Sequence, residues 1–551
     1  MFLRSYNLLM SLARPEALPS PQAAGMSREA AQAEAFLALS RELAPIPLSQ
    51  RLRDREAYLR LQRGRRRTLE ALIRAQCDRS ALERVIDLIC MIVEESTWSE
   101  NPRGAAFDDE QHPEIDFQCA ETLMLLAWTG RSLGERLGSR ITGKLLYEAR
   151  RRVFSPFLAH QDYPFMRFSG PRARCRRPLC ILSDILLSAL LLETDASRRG
   201  AVLKQALRLL DEAVRRRDDA VEPLEDALAD TAAITDLCAL LRKLTRGELD
   251  LTGDYPTPDW LDALLFSWLE DDCFADAATG DMRPTLSGQE LFRVGLSAND
   301  EALAALGASL HRSLHRPSAT VTGRLMDLGC ESLLTAQKGD VPRLKHASTL
   351  RNRLMLSRFS GLSCAMHNGG GRGNAGSLML FAGHRPILVE VPGCASVPLI
   401  GGRAQLESPL ERAPEAAFGG EVCPADFEVQ PERELMSVDL THAYPPELLA
   451  RSVRRTAMAL RREAMLRLVD AFDLEQPSPV AFQFVTPQKP RRLTNGLRLG
   501  PVDLYWEGGL SCDFEPLGRD FAGDAPLHRI LLTAPAPVTR AFFTFSFTTA
   551  P

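Results

Sequence analysis

The hydrophobic period of this 551-residue chain changes near residue 340, and that change constrains the fold more than any other feature. Between about residues 28 and 315, apolar residues recur at positions i, i+3, i+4 and i+7, as in "SALERVIDLICMIVEES" and "LCILSDILLSALLLE". Such segments predict amphipathic helices, which bury their apolar stripes by packing against one another. From about residue 345, short alternating runs such as "SPVAFQFVTP" lie between Gly, Pro and Asn residues, which is typical of strands.

These two patterns predict an α+β protein with several domains. We expect a lead-in segment over residues 1–27, an (α/α) incomplete toroid of helices over 28–335 and an antiparallel β-sandwich over 336–551. One later segment, "ARSVRRTAMALRREAMLRLVDAF", fits either a partly helical element or a pair of strands, and its pattern leaves both open.

Composition and charge argue against several classes of protein. The net charge of -4 gives no sign of nucleic-acid or membrane binding. The 12 cysteines are scattered without a CxxC pair, which indicates reduced thiols in a cytosolic protein and neither disulfides nor a zinc framework. Polar residues interrupt the apolar N-terminus, and no segment is apolar for long enough to cross a bilayer, so we expect a cytoplasmic protein without a signal peptide.

The most distinctive local motif is the glycine-rich stretch "HNGGGRGNAGS", residues 367–377. Its glycines either let the backbone approach a ligand closely or simply form turns. His367 is a candidate acid–base group because imidazole titrates near neutrality, and it is equally a candidate turn residue. Arg372 offers a planar fork to an anion, and Asn374 tolerates left-handed backbone, so both residues admit the same two interpretations.

Five segments, taken in their order along the chain, resemble motifs of the heparinase II/III-like polysaccharide lyases. They are "EESTWSENPR…HPEIDFQCAETLMLLAW" (94–128), "RRVFSPFL" (151–158), "RGELDL" (246–251), "GSLMLFAGHRPILVEVPG" (376–393) and "SVDLTHAYP" (437–445). The order and spacing of these segments, which are distributed over roughly residues 90 to 450, carry the resemblance.

The resemblance implies a cleft between toroid and sandwich, in which uronic-acid-containing polysaccharides are cleaved by β-elimination. In that chemistry, polar or cationic groups first neutralise the uronate carboxylate. A Tyr or His then removes the C5 proton, and an acid protonates the leaving oxygen. The expected partner is therefore an acidic oligosaccharide or polysaccharide. We predict no cofactor and no metal, because the sequence has no His/Cys/Asp cluster with ligand spacing.

Several positions that match the family's catalytic residues carry other side chains here. Asp226 stands where the family has its proton-transferring Tyr. The segment "RFSGPRARCRRPL" matches the family's carboxylate-binding Asn segment and contains no Asn. Arg103 and Arg372 stand where the family has His, and Asn374 stands where it has Asp. The glycine-loop backbone is thus retained while most of its acid–base side chains are replaced.

Trp98, Asp116 and Glu121 do match the family, and Asp116 and Glu121 are also candidates for purely structural roles. Trp98 is either a platform for a sugar ring or a buried Trp at a helix end. The arginine-rich loop 167–177 is either a basic rim for an anionic chain or a solvated loop. The predicted site consists of a catalytic His367 and the substrate-binding residues Trp98, Arg103, Arg172, Arg372 and Asn374.

Two functions follow from these observations. The first is a lyase that acts on uronate-containing oligosaccharides with a remodelled site. The second is a catalytically degenerate relative that binds a saccharide or a protein partner. The retained backbone motifs favour the first function, and the replaced Tyr, Asn and His residues favour the second.

Overall fold

The chain forms two compact units. The computed structural model describes residues 2–17, 53–74, 79–100, 109, 111–168, 175–217, 222–276, 282–337, 347–350, 354–369, 374–391, 394–405, 423–521 and 525–550. The helical unit comprises Met1–Ala220, Asp226–Pro258 and Ser287–Val341, and the sheet unit comprises Val221–Glu225, Asp259–Leu286 and Pro342–Pro551. The stretches 221–225 and 259–286 of the sheet unit thus lie, along the chain, between segments of the helical unit.

The helices follow the predicted amphipathic segments closely. They are α1 (Tyr6–Leu12), α2 (Arg55–Arg74), α3 (Arg79–Val93), α4 (Phe117–Leu133), α5 (Gly138–Ala149), α6 (Ser155–Ala159), α7 (Pro178–Leu192), α8 (Ala196–Arg217), α9 (Leu224–Leu244), α10 (Pro258–Ser267), α11 (Gly288–Ala298), α12 (Glu301–Leu314) and α13 (Val321–Ala336). A single π-helical turn, Arg150–Phe154, joins α5 to α6. The predicted helix "AAQAEAFLALSREL" lies outside the described residues.

Side-chain caps fix where several of these helices begin. The backbone N–H of Cys119 donates to Asp116 at the start of α4, over 2.9 Å. Asp300 caps α12 and Thr320 caps α13 in the same way. Each cap satisfies an N–H group that has no partner inside its own helix. Asp116 therefore has the structural role that its position before a long apolar run indicates.

Helices α11 and α12 approach each other so closely that only glycine fits at their contact. A Cβ atom built on Gly307 of α12 would lie 2.3 Å from the backbone N of Phe292 in α11. A Cβ atom on Gly288 of α11 would lie 2.3 Å from the backbone N of His311. Real Cβ atoms do not approach backbone this closely, so the two glycines set the distance between the helices.

The sheet unit contains antiparallel sheets whose strands range from 2 to 14 residues in length. The strands are β1 (Trp268–Glu270), β2 (Cys273–Phe274), β3 (Ala347–Leu350), β4 (Leu354–Phe359), β5 (Leu362–His367), β6 (Leu378–Ala382), β7 (Arg385–Leu388), β8 (Pro398–Ile400), β9 (Ala425–Val429), β10 (Arg433–Asp439), β11 (Ala450–Leu460), β12 (Met465–Ser478), β13 (Val480–Thr486), β14 (Arg491–Leu493), β15 (Gly496–Leu499), β16 (Val502–Trp506), β17 (Ser511–Phe521), β18 (Ala525–Thr533) and β19 (Val538–Thr549).

Three of the sheets share one apolar core, which gives the region a sandwich-like arrangement. Their strand orders are β14-β15-β16-β19-β12-β11-β10-β9, β17-β18-β13-β8 and β3-β4-β5-β6-β7, and β1 pairs with β2 separately. Phenylalanines dominate the contact between the first two sheets: Phe482 of β13 lies 4.8 Å, between ring centroids, from both Phe543 and Phe545 of β19. The prediction of a helical region followed by antiparallel sheets is confirmed at this level.

The segment whose pattern fitted both a helix and strands forms two strands. Strands β11 and β12 pair in an antiparallel register that sets Arg455 opposite Asp470. Both residues are fully buried, and the guanidinium of Arg455 donates to both carboxylate oxygens of Asp470 over 2.7 Å. It also donates to the carbonyl of Gly376 over 3.0 Å, which ties β11 to the end of the glycine loop. The helical interpretation of this segment is wrong.

The cysteines and the helices bear on two expectations from composition, namely reduced thiols and no membrane-spanning segment. The cysteines among the described residues are free thiols, as the sequence indicated. Burial raises the pKa of most of them, Cys180 and Cys364 for example, so these thiols stay protonated and unreactive. Among the described helices, none combines the length and apolarity needed to cross a membrane.

Candidate functional site

The predicted site residues fall into three groups. Arg103, Arg172 and Arg372 lie outside the described residues. Trp98 belongs to the helical unit, and His367 and Asn374 belong to the sheet unit. Trp98 is therefore described separately from the other two.

Trp98 packs inside the helical unit. Its exposed fraction is 0%, and its indole N–H donates to the carbonyl of Ile92 over 2.9 Å. The guanidinium of Arg152 lies 4.9 Å from the centre of its ring. This is the environment of a structural Trp at the end of a helix. Stacking of Trp98 on a sugar stays a prediction, and it would require a ring face to become uncovered.

His367 ends β5 and is also fully buried, with an exposed fraction of 0%. Its Nε2 lies 2.7 Å from Oε2 of Glu390. The backbone N–H of Gly369 donates to its Nδ1 over 3.3 Å. Because Nδ1 accepts, we assign the proton to Nε2, which donates to the carboxylate. Both ring nitrogens thus have partners inside the protein.

Glu390 holds both ends of the glycine loop. Besides His367, it accepts from the backbone N–H of Asn374 over 2.9 Å, and the Asn374 side-chain amide lies 3.4 Å from the same oxygen. The N–H of Gly376 donates to the carbonyl of His367 over 2.7 Å and closes the loop. Asn374 and His367 are therefore brought together, and the residue that joins them is one the sequence analysis did not single out. A lone Glu in the apolar run "PILVEVPG" was the available signal, since a buried acid requires a partner.

In the helical unit, Asp226 is buried between two arginines of the loop before α7. Arg176 donates to it bidentately, from Nε to Oδ2 over 2.6 Å and from Nη2 to Oδ1 over 3.1 Å. Arg177 donates from Nε to Oδ1 over 2.7 Å, and its guanidinium lies 5.0 Å from the ring centre of Phe117. The structure therefore joins two positions that the resemblance had assigned separately to a Tyr and to an Asn segment.

The two arginines differ in how much of them faces solvent. The side chain of Arg176 is 66% exposed, whereas that of Arg177 is 19% exposed. Asp226 fixes the plane of the Arg176 guanidinium while much of the side chain remains accessible. This is an arrangement in which a planar donor is oriented before an anion arrives.

The thiol beside these arginines lies in an environment that disfavours its thiolate. Burial raises the pKa of Cys175, and the negative charges of Asp230, Asp116, Asp226 and Glu114 raise it further. The thiolate is the reactive form of a cysteine.

A second buried group lies at the contact of α4, α7 and α13. The N–H of Val321 donates to Glu121 over 2.8 Å, and the guanidinium of Arg324 lies 3.5 Å from the same oxygen. Burial raises the pKa of Glu121. The pKa of Asp184 lies well above its ordinary value, first because the group is buried and second because the negative charge of Glu121 is close to it. The negative charge of Glu121 favours the protonated form of Asp184, so we expect Asp184 to be the carboxyl of this pair that binds a proton.

This pair gives a prediction for the pH dependence of stability. The raised pKa means that unfolding lets Asp184 ionise above about pH 4, so the native state loses stability as pH rises. Asp184→Asn keeps a hydrogen-bond donor and cannot ionise. Relative to the wild type, the variant should gain stability from pH 5 to pH 8, by at most about 1.4 kcal/mol per pH unit. Guanidinium unfolding at both pH values measures this.

Asp503→Asn is the control for that experiment. Arg498 lowers the pKa of Asp503, so this group is ionised in both states between pH 5 and pH 8. The stability difference between Asp503→Asn and the wild type should therefore be the same at the two pH values. If the difference in unfolding free energy between Asp184→Asn and the wild type is also the same at pH 5 and pH 8, then Asp184 does not bind the proton.

The fold matches those of solved polysaccharide lyases. Heparinase III superimposes with a TM-score of 0.62 at 12% sequence identity, covering 100% of this chain and 88% of that one. The Streptomyces coelicolor chondroitin AC lyase, solved with chondroitin sulphate, gives a TM-score of 0.51 at 13% identity, covering 100% and 82%. Paenibacillus xanthan lyase gives 0.56 at 8% identity, and this chain covers 59% of it. At these identities the comparisons establish the fold.

Comparisons of sequence alone give no significant match for this chain. No model of a protein family matches the chain. No curated protein matches it with significance either. The similarity to these solved structures is therefore one of three-dimensional structure.

Proposed function

We propose that this protein binds acidic, uronate-containing oligosaccharides at the exposed face of Arg176 and does not cleave them. The main observation behind this proposal is that Arg176 and Arg177 both donate to the buried carboxylate of Asp226. Asp226 occupies the position that the resemblance assigns to a proton-transferring Tyr. The polysaccharide-lyase fold over the whole chain supports an acidic saccharide as the ligand. We include in this proposal that the helices form an incomplete toroid.

The chemistry of β-elimination supports the absence of turnover. The reaction needs a group that takes a proton from carbon and is free to approach the substrate. Asp226 is buried, and its two oxygens accept three hydrogen bonds from Arg176 and Arg177. His367 is buried as well and engages both of its ring nitrogens. Neither side chain is placed to act as a base. Arg176, in contrast, carries a positive charge on a side chain that is 66% exposed, which suits an anionic ligand.

Replacing Arg176 by Ala tests the binding site. The change removes the positive charge of a side chain that is 66% exposed and leaves Arg177 as the only arginine paired with Asp226 among the described residues, so both effects oppose anion binding. A hydrogen bond to a charged group contributes about 1.5–3 kcal/mol, so we expect affinity for a uronate tetrasaccharide to fall about 10- to 100-fold. Isothermal titration calorimetry measures it, with a neutral oligosaccharide as the ligand control.

Arg498→Ala is a matched control variant. Arg498 also donates bidentately to a buried aspartate, Asp503, over 2.7 and 2.9 Å, but it belongs to the sheet unit. Its replacement should leave saccharide affinity unchanged. Equal losses in the two variants would mean that binding depends on general charge, and no binding by the wild type would end the proposal.

The second candidate function is an active lyase. It is favoured by the coverage of the whole chain by the fold of heparinase III. Incubation with heparan, chondroitin, alginate and ulvan oligosaccharides, followed by ultraviolet absorbance of the unsaturated product, separates the two. We expect no product in the presence of an active control lyase, and product formation by the wild type would replace our proposal with this one.

A further inference from the structure

Two histidines and an aspartate that are distant in sequence converge in the helical unit. His112 lies shortly before α4, His160 directly follows α6, and Asp162 comes two residues later. The possible ligand atoms of these three side chains all lie within 4.8 Å of one another. From this convergence we infer that His112, His160 and Asp162 bind one divalent transition-metal ion, of which Zn²⁺ is the representative probe.

The donor set suits such an ion. Imidazole nitrogens and a carboxylate oxygen are ligands that Zn²⁺ and its neighbours in the first transition series bind well, and Mg²⁺ and Ca²⁺ prefer all-oxygen sites. Ligand atoms around a tetrahedral Zn²⁺ are about 3.3 Å apart, given bonds of about 2.0–2.1 Å. The ligand atoms of the three side chains lie within 4.8 Å of one another in the structure.

The hydrogen bond of His160 to a backbone carbonyl leaves its other ring nitrogen as an acceptor in the neutral ring. Its Nε2 lies 3.0 Å from the carbonyl oxygen of Gln111. A carbonyl can only accept, so Nε2 carries a hydrogen, and in the neutral ring Nδ1 is the acceptor. Metal-binding histidines commonly donate their other N–H to a backbone carbonyl in this way, which fixes the tautomer and the ring orientation.

His112 supplies a second, independent observation. Its Nε2 lies 2.7 Å from Oδ1 of Asp162, and its Nδ1 is buried with no hydrogen-bond partner among the described residues. Buried polar atoms are satisfied in the great majority of cases, so the hydrogen bonding of the His112 ring is incomplete among the described residues. The site is also reachable from solvent, because the Asp162 side chain is 46% exposed.

Aromatic packing holds the two rings in place. The ring centroids of His112 and His160 are 4.1 Å apart, and that of Tyr163 is 4.9 Å from His112. Tyr163 is buried and donates its hydroxyl to the carbonyl of Pro113 over 2.8 Å. The ligands therefore sit on a support that restricts their motion before an ion binds. Three protein ligands leave a further coordination position for water or an anion.

One neighbouring charge opposes cation binding. The guanidinium of Arg167 lies 4.0 Å from Oδ2 of Asp162, and both side chains are partly exposed. An exposed pair at this distance contributes at most about 1 kcal/mol, which is less than the gain from coordination by two imidazoles and a carboxylate.

The sequence predicted no metal because metal ligands were expected close together along the chain, and His112 and Asp162 are 50 residues apart.

Titration of the chelator-treated full chain with ZnCl₂ tests this inference. Calorimetry should show one tight site per chain, and Co²⁺ in its place should give the intense visible absorption of a low-coordinate site. We expect His112→Ala, His160→Ala and Asp162→Asn each to weaken Zn²⁺ affinity by at least about tenfold. Asp162→Asn is nearly isosteric and partly exposed, so it keeps the test informative if a His variant misfolds.

The pair His311 and His315 provides the matched control. Their rings are 5.2 Å apart in the same unit. Removing both should leave the tight site intact. The inference is overturned if the wild type binds no Zn²⁺, if Asp162→Asn binds as tightly as the wild type, or if the tight site disappears with the control pair instead.

Discussion

Arg455→Met should destabilise the protein by about 3–5 kcal/mol, because it leaves the buried carboxylate of Asp470 without its cation. The guanidinium also donates to the carbonyls of Gly376 and Ser396, so two buried acceptors lose their donor as well. Methionine replaces the volume of the side chain and none of its hydrogen bonds. Denaturant unfolding followed by circular dichroism measures the loss.

The neighbouring Arg454→Met is the control. Arg454 is on the same strand but 51% exposed, and its nitrogen lies 4.0 Å from Asp426. Exposed pairs contribute at most about 1 kcal/mol, so this variant should stay close to the wild type. Combining Arg455→Met with Asp470→Leu should recover part of the stability, since no unpaired charge then remains. Similar small losses in the two single variants would contradict the assigned role of Arg455.

Gly307→Ala should destabilise the protein by up to about 2 kcal/mol, although alanine is the better helix former. Alanine gains about 1 kcal/mol in helix propensity. Against this, its Cβ would lie 2.3 Å from the backbone N of Phe292, where no side chain can rotate away. Overpacking of this kind typically costs about 1–3 kcal/mol or more, and here the neighbouring backbone must shift. The melting temperature reports the net effect.

Gly329→Ala separates the two contributions. Gly329 lies in α13, and a Cβ atom there would have nothing within 4 Å. Only the gain in helix propensity applies, so this variant should be more stable than the wild type by up to about 1 kcal/mol. A stabilising Gly307→Ala would show that the contact of α11 and α12 has room for a methyl group.

Much of the fold could be predicted because local patterns dominate it. In α4 and α7, the long apolar runs over residues 119–129 and 179–192 contain no Gly or Pro and allow a single interpretation. Strand β11 was ambiguous for a definite reason: its inward positions include Arg455 between Val453 and Ala457, so a buried charge interrupts the apolar alternation. A pattern method reads that arginine as a solvent-facing residue. Only the partner Asp470, on the next strand, explains it.

The site was less predictable because its contacts are long-range. The sequence identified His367 and Asn374, and it did not identify Glu390, which joins them. It also singled out Asp226 and the basic loop without pairing them. Each of these contacts depends on where distant segments meet, and residue type and local spacing contain little information about that.

The chain passes between the two units several times, and this has a consequence for dividing the protein. Leu269 and Met282, which precede α11, are buried in one apolar cluster with Leu354 and Met379 of the sheet unit. A fragment cut at residue 342 would lack the first two and would expose the apolar surface that they cover. Neither unit corresponds to one continuous stretch, so gene truncation or recombination at a single point cannot transfer either unit intact.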